Sequence, residues 1–140
     1  MLNSIIQGIS IRLNELFGDD YRIYVDEVKQ GHKSPCFFIL PLLSEQSDKL
    51  GVRALREYPF DIHYFPAKLS NVDIYDVAEK MILGLDYISP TNNSLVQIKS
   101  KRYEVVDGVL HFMCRCSFYV IKPKTSEITM QDLEYRRKGV

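Results

Sequence analysis

Two hydrophobic periods run through this chain, and they predict its elements. Leu2, Ile5, Ile6, Ile9, Leu13, Leu16 and Phe17 recur at three- and four-residue steps, the single stripe of an amphipathic helix. Asn3 or Ser4 is placed to cap its start, and Gly18 fits its end. A strand is predicted over Tyr21–Val28, with Ile23 and Val25 on one face and Tyr24 and Asp26 on the other. Lys29–Pro35 reads as a turn. Cys36–Leu43 is apolar at every position, the pattern of a strand covered on both faces. A neighbouring subunit is the obvious cover for its second face; the tail or a fold-over of the sheet are the alternatives. Ser44–Gly51 is polar and reads as a loop. A third strand over Val52–Phe65 alternates through Tyr58, Phe60, Ile62 and Tyr64, with Pro59 marking a bulge or an edge. Ser70 or Asn71 opens a second helix whose stripe is Ile74, Val77, Ala78, Met81, Ile82 and Leu85. Ser89-Pro90 lies beyond its end, and Thr91–Ser94 reads as loop.

The strongest local signal comes last. The runs LVQIKSKRYEVV and VLHFMCRCSFYVI flank Asp107-Gly108, and Asp-Gly between apolar-rich runs signals a hairpin because both central residues of a type I′ turn need positive φ. The second arm puts Leu110, Phe112, Cys114, Cys116, Phe118 and Val120 on one face, with His111, Met113, Arg115, Ser117 and Tyr119 on the other. Each arm holds about twelve residues, against about five or six in a usual strand. So long a ribbon does not fit wholly within a small monomeric domain. The expected fold is α+β: two helices on one face of a mostly antiparallel sheet, in the order α-β-β-β-α-β-β. Residues 1–121 read as one domain and 122–140 as a polar tail with a possible short helix at Ile128–Tyr135.

Composition narrows the function classes. The 140 residues are 46% hydrophobic and 26% charged, an ordinary globular mixture. Lysine plus arginine equals aspartate plus glutamate at 18 each, which argues against a dedicated nucleic-acid binder. No apolar run is long enough to span a bilayer, and MLNSIIQGIS lacks the basic and apolar regions of a signal peptide. Three cysteines without framework spacing imply free thiols in a reducing compartment.

Catalytic readings fare poorly. The element order matches the core of the restriction-endonuclease-like fold, which needs an acidic residue and an Asp/Glu-x-Lys pair on adjacent strands. Cys36–Leu43 carries no carboxylate, Asp61-Ile62-His63 has histidine where lysine belongs, and Glu27-Val28-Lys29 lies on the first strand. Cys114-x-Cys116 with His111, His63 and Cys36 lacks zinc-site spacing; the thiols read as small buried hydrophobes. There is no nucleophile elbow and no phosphate loop. No catalytic residue, cofactor or metal is expected. A host-directed binding module stands as a further alternative. The over-long hairpin makes the chain an oligomer builder, with Lys99, Lys101, Arg102, Tyr103, Asp107, Gly108 and His111 as one candidate subunit or tube surface and Phe37 and Ile39, on the apolar second strand, near the other.

The opening helix LNSIIQGISIRLNELF, with YRIYVDEVKQG, PCFFI, YPFDIHYFP and YEVVDGVLHF, resembles the tail terminator proteins of tailed phages, in the form found in prophages and phage-tail-like particles of Gram-positive bacteria. The element order is similar to that of lambda-type terminators. The resemblance implies a hexameric ring on the head-proximal end of the tail tube, ending tube polymerisation and offering a surface to the neck. The implied partners are copies of itself, the tail tube protein, and a neck, head-completion or collar protein. DNA would pass only as cargo in a true phage, and no membrane is involved. The implied location is the virion tail or phage-tail-like particle, after assembly in the bacterial host cytoplasm.

Overall fold

A computed structural model describes residues 1–25, 31–91 and 94–122. The two apolar stripes form α1, Leu2–Phe17, and α2, Asn71–Gly84. Helix α1 starts directly after Met1 without a side-chain cap, so Asn3 and Ser4 lie inside it rather than capping it. Gly18 ends it at φ 88°, its amide donating to the Asn14 carbonyl at 2.8 Å. Ser70 caps α2, its Oγ accepting the Asp73 amide at 3.3 Å, and Asp73 sits at the positive end of the helix dipole.

Seven strands form one sheet: β1 Arg22–Tyr24, β2 Cys36–Pro41, β3 Glu45–Asp48, β4 Arg53–Phe65, β5 Tyr87–Thr91, β6 Ser94–Val106 and β7 Val109–Ile121. Their order is β1-β2-β4-β7-β6-β5, with β3 beside β4. Among the described pairings only β1 and β2 run parallel. The α+β class with a long C-terminal hairpin is as expected, but the order is α-β-β-β-β-α-β-β-β, two strands richer. Strand β3 lies in the segment expected to be a loop: its residues EQSD are all exposed, so no alternation betrays a strand held only by pairing to β4. Strand β5 takes up Ser89-Pro90 and Thr91, which read as loop; as an edge strand it tolerates a residue without an amide donor. Asp26–Val28, Glu27-Val28-Lys29 and the helix expected at Ile128–Tyr135 fall outside the described residues.

Two of the strand prolines, Pro41 and Pro59, sit at one seam. Strand β4 pairs with β3 over Ala54–Glu57 and with β2 over Phe60–Phe65. Pro59 lies between, its carbonyl accepting the Leu42 amide at 2.9 Å. The polar edge of Pro59 therefore faces the gap where β2 ends at Pro41, and its missing donor leaves no ladder bond broken.

The hairpin closes through Asp107 and Gly108 at φ 52° and 75°, as a type I′ turn requires. Each arm is thirteen residues long. Strand β6 carries a bulge: Lys99 pairs with Arg115 and Arg102 with Met113, so Ser100 and Lys101 together face Cys114. Ser100 takes φ 55°. The extra residue reverses which side chains face the helices. Before it Ile98 packs into the core, and after it Tyr103 and Val105 do.

The core lies between the helices and one sheet face. Ile5, Ile9 and Leu13 of α1 and Ile74, Val77, Ala78 and Met81 of α2 meet Phe37, Ile39, Phe60, Ile62, Tyr64, Leu110 and Phe112. Ile6, Leu16 and Ile82 pack on its margin. The second face of β2 is covered within the chain. Phe38 stacks on Tyr24 at 5.0 Å between ring centroids and meets His32 and Phe65 edge-on at 5.7 and 5.3 Å. The expected cover by a neighbour is therefore not needed there: an aromatic cluster supplies it, partly from the residues read as a turn.

Ile9 and Met81 have no exposed surface, whereas Ile11 on the opposite side of α1 is half exposed. Ile9→Ala or Met81→Ala should cost about 2–5 kcal/mol by urea denaturation, and Ile11→Ala less than about 0.5 kcal/mol. Equal losses at all three positions would contradict the placement of α1.

Candidate assembly surface

The hairpin residues divide between two tasks. Lys101 and Tyr103, turned toward α2 by the bulge, hold that helix. Lys101 Nζ donates to the Ile82 carbonyl and to Asp86 Oδ1, both at 2.7 Å, placing a cation at the negative end of α2. Tyr103 Oη donates to Glu79 at 2.7 Å. Tyr64 Oη secures the other end of the helix on Asp73 at 2.8 Å; burial first, and then that bond, raises the Tyr64 pKa. Lys99, Arg102 and Asp107 are exposed, Gly108 and His111 half-buried. Phe37 and Ile39 are wholly enclosed by the chain's own core and offer no surface to a partner. The surface nearest them is the exit of β2, where Leu42 and Leu43 are 47% and 83% exposed.

Strand β6 also presents backbone. Strand β5 pairs with it only from Ser94 to Gln97, so among the described pairings the outer edge of β6 from Lys99 to Val106 has no strand beside it. Such an edge is a template for a further strand.

The face of the sheet away from the helices carries the polar chemistry. His63 and His111 are direct cross-strand partners of β4 and β7, with ring centroids 4.2 Å apart. Asp61 Oδ2 lies 3.0 Å from His63 Nε2 and 3.4 Å from His111 Nδ1. The sequence sets Asp61 and His63 in a failed nuclease motif, and His63 and His111 with the cysteines in a failed zinc motif; the pairing of β4 with β7 was the missing piece. As expected, the thiols of Cys114 and Cys116 point the other way, into the core, whereas Cys36 shares the outer face of β2 with Phe38. Cys36, Cys114 and Cys116 are free and buried. Burial pushes the Cys114 thiol up to about 12, helped by its neighbour Cys116, and burial alone does the same to Cys116. Neither is poised for nucleophilic or metal chemistry.

The described residues form a helix-backed, mostly antiparallel sheet with a long hairpin and an open edge on β6. The chain belongs to a family of phage tail terminator proteins: the family model described as "Phage tail terminator protein" matches residues 4–128. No curated protein matches the chain. The family is one of structural proteins of the phage tail.

Two outcomes follow. Lys101→Met should lower stability by about 1–2 kcal/mol through loss of the α2 contact, whereas Lys99→Met should be within about 0.5 kcal/mol of the native chain; equal effects in thermal unfolding would contradict the split. Cys114 and Cys116 should react slowly with thiol reagents until the chain unfolds. Their folded-state pKa lies above the ordinary value, so the unfolded chain releases protons first as pH rises. Stability should therefore fall between about pH 8.5 and about 12, and this decline should be shallower in a Cys114→Ala/Cys116→Ala double variant, where buried Cys36 and Tyr64 still contribute to it.

Proposed function

We propose that copies of this chain form a closed ring on the head-proximal end of the tail tube, ending tube polymerisation and presenting a surface to the neck or collar. The observation that carries this reading is the β6–β7 hairpin in a member of the terminator family. Thirteen extended residues per arm reach about 40 Å, against a radius of gyration of about 14 Å for a compact domain of this size. Strand β7 is paired with β4 along the body of the domain, so the part of the hairpin left for other chains is the outer edge of β6 from Lys99 to Val106, which has no strand beside it among the described pairings. Closed rings use head-to-tail contacts in which two different patches of one subunit meet. One patch is the hairpin with Lys99, Arg102, Asp107, Gly108 and His111. The other is the β2 exit at Leu42 and Leu43. The partners under this reading are further copies of the chain in a hexamer, the tube protein and a neck or collar protein.

Electron microscopy of particles assembled without this protein tests the reading. Overgrown or ragged tubes lacking a neck are the expected outcome, restored to uniform length by the native chain. Tubes of normal length and normal neck attachment in its absence would exclude a terminating role.

A further inference from the structure

The outer face of the sheet holds a set of donor side chains whose ligating chemistry a ring contact does not require. We propose that Asp61, His63 and His111 bind a divalent transition-metal ion, with zinc as the ion that this set of two imidazoles and one carboxylate fits. Nε2 of His63, Nδ1 of His111 and a carboxylate oxygen of Asp61 all lie within 4.8 Å of one another. Bonds of about 2.0–2.1 Å to zinc put neighbouring donors about 3.3 Å apart in a tetrahedral site. The Asp61 separations of 3.0 and 3.4 Å bracket that value.

The competing reading is a carboxylate that accepts one hydrogen bond from each histidine. Charge-assisted bonds of that kind run to about 2.7–2.9 Å, and the His111 separation of 3.4 Å is long for one. That reading also leaves Asp61 Oδ1 buried without a partner, which is costly. An ion held by both carboxylate oxygens would engage Oδ1 as well as Oδ2. The three side chains project from the long β4–β7 ladder, and Asp61 is flanked in register by Leu40 and Met113. A rigid, partly apolar frame holds donors in place before the ion arrives. The side chains are 19–25% exposed, so an ion can enter and keep a coordination position open to solvent.

The test uses the full, untagged chain, stripped with chelator and titrated with Co2+ and then Zn2+. The expected result is about one ion per chain, with visible absorption bands of low-symmetry Co2+ that Zn2+ abolishes. His63→Ala, His111→Ala and Asp61→Asn should each weaken binding by about tenfold or more, in variants whose circular dichroism matches the native chain. His32→Ala, at the aromatic cluster on β2, should leave binding unchanged. A folded native chain that takes up no stoichiometric ion would overturn the proposal. So would binding that persists undiminished in the His63→Ala/His111→Ala double variant.

Discussion

The pairing of β4 with β7 is the constraint on which the rest depends. It runs through twelve consecutive pairs, from Arg53↔Ile121 to Tyr64↔Leu110, at the middle of the sheet. One face of this ladder supplies Phe60, Ile62, Tyr64, Leu110, Phe112, Cys114 and Cys116 to the core. The other face sets His63 against His111 and brings Asp61 to both. Because side chains alternate along a strand, a slip of one residue would exchange the two faces and bury charge. The Asp107-Gly108 turn fixes β6 against β7, and the apolar face of β4 leaves one register that buries it.

The main parts of this fold were readable where a hydrophobic period coincided with a backbone signal. The stripe of α1 with Gly18, the Ser70 cap of α2 and Asp107-Gly108 each joined the two. What escaped reading lacked the period or changed its phase. Strand β3 has no apolar residue, and β5 is defined by pairing across a bulge rather than by pattern. The bulge at Ser100 was present as a slip in alternation: Val96 and Ile98 fall in one phase, Tyr103 and Val105 in the other. That slip separates Lys101 and Tyr103, which tie down α2, from Lys99 and Arg102, which face outward. Reading the charges as one patch therefore merged two tasks. Phe37 and Ile39 illustrate a different limit. A strand apolar on both faces demands cover on both, but the pattern does not say whose residues provide it. Here Tyr24, His32 and Phe65 supply it for the outer face.

The same physics shapes the functional account. Small domains leave little surplus stability, and among the described residues no charged side chain is buried in the core of this one. Its unspent features are the β6 edge from Lys99 to Val106, the exposed leucines after β2 and the histidine face. An unpaired edge and exposed leucines carry an aggregation risk unless other chains cover them. The ring proposed above would cover the edge and the leucines, in keeping with a structural tail family.

The most direct measurement is an electron cryomicroscopy reconstruction of the tail end that resolves individual strands of this chain. The account predicts a closed ring in which each β6–β7 hairpin lies along a neighbouring subunit, with the outer edge of β6 beyond Gln97 covered. A ring whose hairpins project only into solvent, or a tail end carrying no ring of this chain, would contradict it.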